Sequence, residues 1–244
     1  MKLLINYGHN GFEHSQALNE KSGLEKGGFT HVTKYRFGDL GQDFTTKNNH
    51  ILSQSRGAGY WLWKPYFILE NLKKMNEGDI LCYSDAAITF LGDMGEYFDE
   101  CINDEKGIVL FFNASQLNYQ WTKRDCFVLM EMDGMSPPGD PTPCGPYARQ
   151  ANAAIQICRK TDFSISFYEE YLKLCEDERI LTDIPNTQGK PNYEGFRDHR
   201  HDQSILSLLR FKYKVRSRED ICQWGREFRQ PHEKELLDHH RRKL

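Results

Sequence analysis

The sequence predicts an α/β domain, with a central mixed, mainly parallel sheet flanked by helices. Two observations support this prediction. Short apolar runs alternate with segments of helical periodicity, and several of these runs are nearly continuous, as in strands that are buried on both faces. The first run, Lys2–Tyr7 (KLLINY), indicates a buried strand, and residues 32–37 (VTKYRF) indicate a second strand with alternating character.

The later segments continue this alternation. A helix is predicted from Pro65, because proline suits the first helical position, and it should end near residues 76–78. The other predicted elements are strands at 80–83, 108–112, 155–158 and 213–215, and helices at 163–175 and 203–209. Residues 133–147 and 182–199 are rich in proline, glycine and polar residues, and we expect them to form loops.

The composition of the chain is that of a globular protein. The chain has 244 residues, 39% of them hydrophobic, which suits one globular domain over residues 1–244 and excludes collagenous or mainly disordered chains. Its formal net charge of −3 provides no general field for nucleic acid, so no nucleic-acid partner is expected. The segment 210–244 is basic, with eleven Lys and Arg against six Asp and Glu. This segment predicts a local anion site or a solvated tail, and peripheral attachment to an anionic membrane is a further alternative.

The chain also suggests a compartment. Its N-terminal residues lack the apolar stretch and cleavage site of a signal peptide, and no window approaches the ~18 apolar residues of a spanning helix. The seven cysteines form no C-x-x-C pair. We therefore expect reduced thiols in a cytoplasmic protein without a transmembrane segment.

An acid at the end of a strand is the strongest local signal. The segment GDILCYSDAA places Asp85 at the carboxyl end of a predicted central strand, the edge where ligands bind in open α/β sheets. A carboxylate there suits Mg²⁺ or Mn²⁺, which in turn binds a diphosphate. A structural alternative is that Asp85 caps the next turn.

Two histidine-containing clusters add polar groups. His199, His201 and Asp202 lie within four residues, and Gln203 follows them, so the cluster can contact a metal, a phosphate or sugar hydroxyls. The alternative is that Asp202 caps a helix while the histidines are solvated. The segment HHRRK, from His239, joins metal ligands to cations, as a metal-bound diphosphate requires, and the alternative here is a frayed terminus.

Small and aromatic residues precede the predicted helix. In RGAGYWLWKP, which starts at Arg56, the glycines allow the backbone to approach a ligand, and Trp61 and Trp63 offer flat faces for a sugar or base. Core packing is the alternative for these aromatic residues. The segment is not a phosphate loop, since it lacks G-x-x-x-x-G-K-[ST].

These segments, taken together with WTKRDCF and TDIPNTQGKPNYEGF, resemble the small GT-A-fold glycosyltransferases of bacterial surface-polysaccharide clusters, large DNA viruses and phages. The resemblance extends from about Arg56 to the end of the chain. The order of motifs also resembles the retaining enzymes of the glycogenin and lipopolysaccharide galactosyltransferase type, which have D-x-D, a later D-Q pair and a late histidine. The resemblance implies a GT-A domain that transfers a sugar, with UDP the expected nucleotide of the donor, to a glycan, a glycolipid or another hydroxyl acceptor.

The same resemblance assigns roles to individual residues. It implies that Asp85 matches the first acid of D-x-D and binds Mn²⁺ or Mg²⁺ with His239 or His240, while Ala87 departs from the motif where the second acid is expected. Asp202 and Gln203 match the D-Q pair and are the expected catalytic residues. The other expected contacts are, for the nucleotide and its phosphates, Tyr7, Arg56, Lys64, Ala86, Arg241, Arg242 and Lys243, and, for the sugars, Trp61, Trp63, His199 and His201.

Several alternatives stay open at this point. The D-Q resemblance favours retention of the anomeric configuration, whereas Asp202 could also serve as the general base of an inverting displacement. The metal could be held by Asp85 through water or not be needed. A metal phosphohydrolase based on His199, His201 and Asp202 is a rival function, and so is a non-catalytic sugar-binding protein of the same fold, for which Ala87 is the best argument.

Overall fold

The structure is a computed structural model that describes residues 1–9, 11–134, 145–223 and 235–240. Its strands are β1 (Lys2–Tyr7), β2 (His31–Tyr35), β3 (Ile80–Ser84), β4 (Ile88–Phe90), β5 (Ile108–Leu117), β6 (Arg149–Arg159), β7 (Arg216–Glu219), β8 (Cys222–Gln223) and β9 (Leu237–His239). Its helices are α1 (Glu13–Glu25), α2 (Gln42–Lys47), α3 (Asn49–Leu52), α4 (Gly57–Tyr60), α5 (Trp63–Lys74), α6 (Gly95–Asn103), α7 (Asn118–Trp121), α8 (Arg124–Leu129), α9 (Asp162–Cys175), α10 (Glu178–Leu181) and α11 (Asp202–Lys212).

A six-stranded sheet forms the centre, in the order β2-β1-β3-β6-β5-β7. The β1–β2, β1–β3 and β5–β7 pairs are parallel, whereas β6 runs antiparallel to both of its neighbours. This arrangement confirms the predicted α/β architecture with a mixed, mainly parallel sheet. A smaller sheet, β4-β9-β8, lies beside it.

Alternate residues of the central strands enter two different cores. Leu81 and Tyr83 of β3 pack in a core with side chains of α5, α9 and α11. Ile80 and Cys82, on the opposite face of the same strand, pack with α6 and the smaller sheet. Since both faces are covered, the strand is apolar along its whole length, which explains why it could be recognised in the sequence.

Some predicted boundaries are wrong, for local reasons. The second strand ends at Tyr35, because Phe37–Asp39 turns into a short 3₁₀ helix. The strand expected at 213–215 begins only at Arg216, because Tyr213 is the C-cap of α11 and Lys214 has a φ of 49°. The strand expected at 155–158 already begins at Arg149.

The topology brings distant segments to one edge of the sheet. The carboxyl ends of β1 and β3 meet the first half of β6 there, because β6 runs antiparallel to β3 and Ser84 pairs with Ile155. Strand β9 pairs with β4, with Ile88 opposite His239, so the last described residues return to the same edge. Asp85 follows β3 directly and therefore lies at this junction.

Two expectations concern the environment of the chain. The described cysteines are free and buried, as expected for reduced thiols, while Cys144 lies outside the described residues. None of the described helices is both long enough and apolar enough to cross a membrane. Most of the proline-rich stretch 133–147 also lies outside the described part of the chain, whereas residues 182–199 form the expected loop.

Candidate active site

A cavity of about 470 Å³ opens at this edge of the sheet. It contains most of the residues that the sequence singled out. Its lining is contributed by the ends of β1 and β3, the start of α11, the α4 turn, the first half of β6, and β9. The lining includes Tyr7, Arg56, Gly57, Trp61, Trp63, Lys64, Asp85, Ala86, Ala87, Asn152, Ala153, His199, His201, Asp202, Gln203 and His239.

Asp85 lies at the centre of the charged groups. The Tyr83 hydroxyl donates to its Oδ1 at 2.7 Å, and the Lys64 ammonium is 3.5 Å from the same oxygen. Its Oδ2 is 3.8 Å from Nε2 of His239. Burial opposes the charge, but Lys64 and His239 outweigh it and lower the pKa of Asp85. Among the described residues, the hydrogen bonds to this carboxylate come from Tyr83 and Lys64, so the structure gives Asp85 no role as a cap of the next turn.

Lys64 joins the two carboxylates of the cavity. Its side chain is 3% exposed, and its ammonium lies 2.7 Å from Oδ2 of Asp202 and 3.2 Å from the carbonyl of Ala153. Burial disfavours the charged form, yet Asp202 and Asp85 raise the pKa of Lys64 above its ordinary value. Lys64 is therefore a fixed positive charge between the end of β3 and the start of α11.

Asp202 and Gln203 begin α11 and face the cavity. His201 occupies the N-cap position and Asp202 is the first helical residue, so the side chain of Asp202 is not the cap. The Tyr171 hydroxyl donates to the carbonyl of Asp202 at 3.1 Å. Burial raises the pKa of Asp202, and the neighbouring Asp85 adds to the effect, even though Lys64 acts in the opposite direction. Gln203 also lines the cavity, and its side-chain oxygen lies 3.4 Å from the amide nitrogen of Ala153.

The two histidines before α11 differ in their contacts. Nδ1 of His199 accepts from the amide of Lys123 at 3.2 Å, and its Nε2 donates to the carbonyl of Ile180 at 2.8 Å. Nδ1 of His201 bonds the carbonyl of Leu181 at 2.8 Å. Burial lowers the pKa of both histidines. Both line the cavity, but the two ring nitrogens of His199 already bond to the backbone.

The α4 turn has an unusual backbone. Gly57, Ala58, Gly59, Tyr60 and Trp61 all have positive φ, so the chain makes a left-handed turn. Three of these residues carry side chains, and each non-glycine residue in this region costs about 1 kcal/mol or more. The turn is thus a strained segment that the surrounding packing must hold.

Aromatic rings cover the wall beside this turn. The Trp61 ring stacks on His201, with centroids 5.4 Å apart. Trp63 stacks on Tyr7 at 3.9 Å and donates its indole N–H to the carbonyl of Gly57, so much of Trp63 serves packing, as the structural alternative held. Arg56, at the rim, forms ion pairs with Asp183 at 3.1 Å and Asp198 at 3.0 Å, both in the loop 182–199.

The C-terminal residues divide into two groups. His239, in β9, lies beside Asp85 in the cavity. The amide of His240 donates to the carbonyl of Ala87 at 3.1 Å, but His240 is not among the residues that line the cavity. Arg241, Arg242 and Lys243 lie outside the described residues. Of the expected metal ligands, the structure therefore brings together Asp85 and His239.

The Asp85 and His239 pair fits a divalent cation bound partly by substrate. One carboxylate oxygen and one imidazole nitrogen 3.8 Å apart can both reach one ion, and Mg²⁺-type sites often use one or two protein ligands plus phosphate oxygens. Within the described residues there is no group of three or more His, Cys, Asp or Glu that could hold a metal by itself. Ala87, which is buried in the lining, adds no acid.

Sequence reasoning missed the polar residues at the start of β6. Asn152 lines the cavity; its Oδ1 accepts from the amide of Ala154 at 2.9 Å, and its Nδ2 donates to Asp220 at 3.2 Å. The strand prediction began at 155, so this half of β6 was not placed at the sheet edge. The pattern of three amide side chains within residues 150–156, in an otherwise apolar strand, is the signal that could have found it.

Comparisons with known proteins give similarities of fold at low sequence identity. No family model matches the chain, and no curated protein matches it. The apo structure of mouse xyloside xylosyltransferase 1 is similar over 91% of this chain and 86% of that chain, with a TM-score of 0.49 and 13% identity. The apo structure of the glycosyltransferase GlyE from Streptococcus pneumoniae TIGR4 is similar over 90% of this chain and 45% of that chain, with a TM-score of 0.44 and 19% identity. A second GlyE structure has a TM-score of 0.40 at 16% identity, and this chain again spans 45% of it.

Proposed function

We propose that the protein is a glycosyltransferase that moves a sugar from a nucleotide-diphosphate sugar, with UDP the expected nucleotide, to a hydroxyl of a glycan or glycolipid. The observation that carries the proposal is the convergence of Asp85, Lys64, Asp202 and Gln203 in one cavity at the carboxyl ends of parallel strands. These residues come from three separate segments of the chain. Their meeting supports a built polar site rather than scattered surface charges.

Charge on the leaving diphosphate is the first requirement of such a transfer. Asp85 and His239 would hold Mn²⁺ or Mg²⁺, and the ion, when bound, would neutralise charge on the diphosphate. Lys64 carries one positive charge against the two carboxylates, and a dianion that binds together with a dication adds no further net charge to the cavity. Arg56, at the rim, would contact the phosphates or the sugar if it left its ion pairs with Asp183 and Asp198.

Orientation of the donor sugar is the second requirement. Asp202 is fixed by Lys64 and by the start of α11, so its carboxylate can accept hydrogen bonds from sugar hydroxyls without losing entropy on binding. Gln203 would face the reacting carbon. Because its carboxylate is ion-paired with Lys64, Asp202 suits the positioning of the donor sugar. Retention of the anomeric configuration is proposed from the resemblance of Asp202 and Gln203 to the D-Q pair of retaining enzymes.

Turnover tests the proposal directly. The protein would be incubated with UDP-glucose, UDP-galactose and UDP-N-acetylglucosamine in the presence of Mn²⁺, with UDP release measured and the anomeric configuration of the released or transferred sugar read by proton NMR. Asp202→Asn should lower turnover by about 100-fold, as expected for the loss of a positioning contact. Asp99→Asn, at an exposed acid outside the cavity, is the matched control. Nucleotide binding without any turnover would instead support the non-catalytic relative.

The phosphohydrolase alternative has less support. It needs several metal ligands, but His199 uses both ring nitrogens for backbone contacts. The described residues also contain no cluster of three metal-ligating side chains. Release of inorganic phosphate from phosphate monoesters, unaffected by UDP, would favour that alternative.

A further inference from the structure

A chain of amide side chains runs from the end of α7 to the cavity. Nε2 of Gln150, on β6, donates to the carbonyl of Trp121 at 3.1 Å and to Oγ1 of Thr122 at 3.0 Å. Nε2 of Gln203 donates to Oε1 of Gln150 at 2.7 Å. Gln150 is 0% exposed and lies behind Gln203, outside the cavity lining.

These donors and acceptors determine the orientation of the side-chain amides of Gln150 and Gln203. The Trp121 carbonyl can only accept, so Gln150 must turn its NH₂ towards it and its oxygen towards Gln203. Gln203 must then direct its NH₂ at Gln150. If the Gln203 amide were reversed, its oxygen would face the Gln150 oxygen across 2.7 Å, an acceptor against an acceptor.

The side-chain oxygen of Gln203 therefore points away from Gln150. It accepts a long contact from the amide of Ala153 at 3.4 Å, and both Ala153 and Gln203 line the cavity. A carbonyl-type oxygen can accept from sugar hydroxyls and stabilise positive charge at a reacting carbon, whereas an NH₂ group would do neither. The orientation of this amide therefore decides what Gln203 contributes.

We infer that Gln150 is a positioning residue that holds the side-chain oxygen of Gln203 towards the donor sugar. The inference rests on the proposed function, in which Gln203 contacts the reacting sugar. Gln150 acts only through Gln203 and does not touch the substrate. It accounts for a fully buried amide in a strand whose neighbouring residues are mostly apolar.

A double-mutant cycle tests this inference. Gln150→Met keeps the length of the side chain and removes its hydrogen bonds. With UDP-sugar and Mn²⁺ as the probe, we expect it to lower kcat by about 10- to 100-fold while the donor KM changes by less than about threefold, because a misoriented catalytic group impairs the reaction more than binding. In the Gln203→Ala background, the same substitution should lower kcat by less than about twofold, since the group it orients is gone.

A second variant separates positioning from loss of packing. Tyr168→Phe removes a buried hydroxyl that donates to Oε1 of Gln156 at 3.2 Å, on the same strand β6 but outside the cavity lining. It should lower the melting temperature as Gln150→Met does, yet leave kcat within about twofold. A Gln150→Met effect on kcat that is equal in both backgrounds, or that Tyr168→Phe reproduces, overturns the inference and leaves the proposed function standing. A wild-type protein that turns over no sugar nucleotide overturns both.

Discussion

Lys64 determines the charge balance of the cavity at the scale of single residues. Its ammonium lies within ion-pair distance of Asp85 and Asp202, and all three side chains are largely shielded from solvent. A buried carboxylate that loses its cation pays a desolvation cost that solvent cannot relieve. The site and the stability of the fold are therefore linked through this residue.

Lys64→Met should be strongly destabilising, because it leaves Asp202 buried without its partner. We expect the free energy of unfolding to fall by about 3 kcal/mol at neutral pH and sugar turnover to be lost. Urea unfolding followed by circular dichroism measures the change. The control is Lys34→Met, which breaks the exposed Lys34–Glu20 pair and should cost less than about 1 kcal/mol. Equal stability of the two variants would contradict the account.

The place of a residue in the site could be predicted where that residue directly follows a recognisable strand or belongs to a recognisable motif. Asp85 was found because an apolar run precedes it, and Asp202 because of its motif. The ion pair between Lys64 and Asp202 joins residues far apart in the chain, and no local pattern indicates it. Gln150 was missed because the strand was predicted to begin six residues after Arg149, at the point where its apolar run starts.

At the scale of elements, the left-handed α4 turn places Arg56 and Trp61 at the cavity. Gly59 makes this possible, with a φ of 93° and the backbone of Leu52 so close that an added Cβ would lie 2.7 Å from its Cα. Gly78 also has a positive φ, 84°, but nothing lies within 4 Å of its added Cβ. A comparison of the two glycines therefore separates the cost of backbone strain from the cost of a steric collision with Leu52.

Gly59→Ala should destabilise the protein by about 3 kcal/mol or more, because backbone strain and a backbone collision add together. Gly78→Ala should cost about 1 kcal/mol, since only the strain applies. Thermal unfolding measures both, and donor KM should rise for Gly59→Ala alone because the turn lines the cavity. A similar melting temperature for both variants would show that the turn is not held tightly.

Two acids attach the loop 182–199 to the α8 region: Asp125 accepts hydrogen bonds from Thr187 and Gln188, and Asp133 contacts the other end of the loop. Asp133 accepts from Lys190 and Tyr193 of the loop and from Arg124 of α8. Burial alone would raise the pKa of Asp133, but these partners outweigh it and lower the pKa to about 2. Asp133 therefore helps to anchor the loop that carries Asp183 and Asp198 to the cavity rim.

Asp133→Asn should lose a pH-dependent part of stability. Because the folded pKa lies below the ordinary 3.8, the contribution is complete above 3.8 and disappears as the pH falls towards about 2. The variant should thus be less stable than the wild type near neutral pH, and the difference should shrink on acidification through that window. Urea unfolding at a series of pH values checks this, with the exposed Asp43→Asn as control. A constant difference across the window would argue against the charged contact.

At the scale of the whole molecule, the C-terminal segment completes the site. Strand β9 pairs with β4 and β8, buries Leu237 and places His239 beside Asp85. The central six-stranded sheet does not include β9. His239, the proposed metal ligand beside Asp85, therefore lies on a strand that is not part of the central sheet.

Deletion of residues 237–244 should leave the central sheet folded and abolish Mn²⁺-dependent nucleotide binding. Circular dichroism reports the fold, and calorimetry with UDP reports binding. Deletion of residues 241–244 alone is the matched control; it keeps His239 and removes Arg241, Arg242 and Lys243, so it should weaken binding only through lost positive charge. Unchanged Mn²⁺ dependence in the longer deletion would remove His239 from the site.

The architecture was more predictable than the connections within it. Alternating apolar runs and helical patterns indicated an α/β sheet, because strands covered on both faces must be apolar throughout. The antiparallel placement of β6 between β3 and β5 has no local signature, and neither does the return of β9 to β4. Those two pairings create the cavity, so its lining could be predicted only in part.

Calorimetric titration with UDP, GDP, CMP and dTDP, with and without Mn²⁺, tests the central claim most directly. It would be run on the wild type and on Asp85→Asn, which keeps an acceptor for Tyr83 and removes the charge. We predict that one nucleotide, UDP, binds the wild type with Mn²⁺ and that this Mn²⁺-dependent binding is lost in Asp85→Asn. Nucleotide binding that ignores both Mn²⁺ and Asp85 would contradict the metal site, and no nucleotide binding at all would contradict the glycosyltransferase proposal.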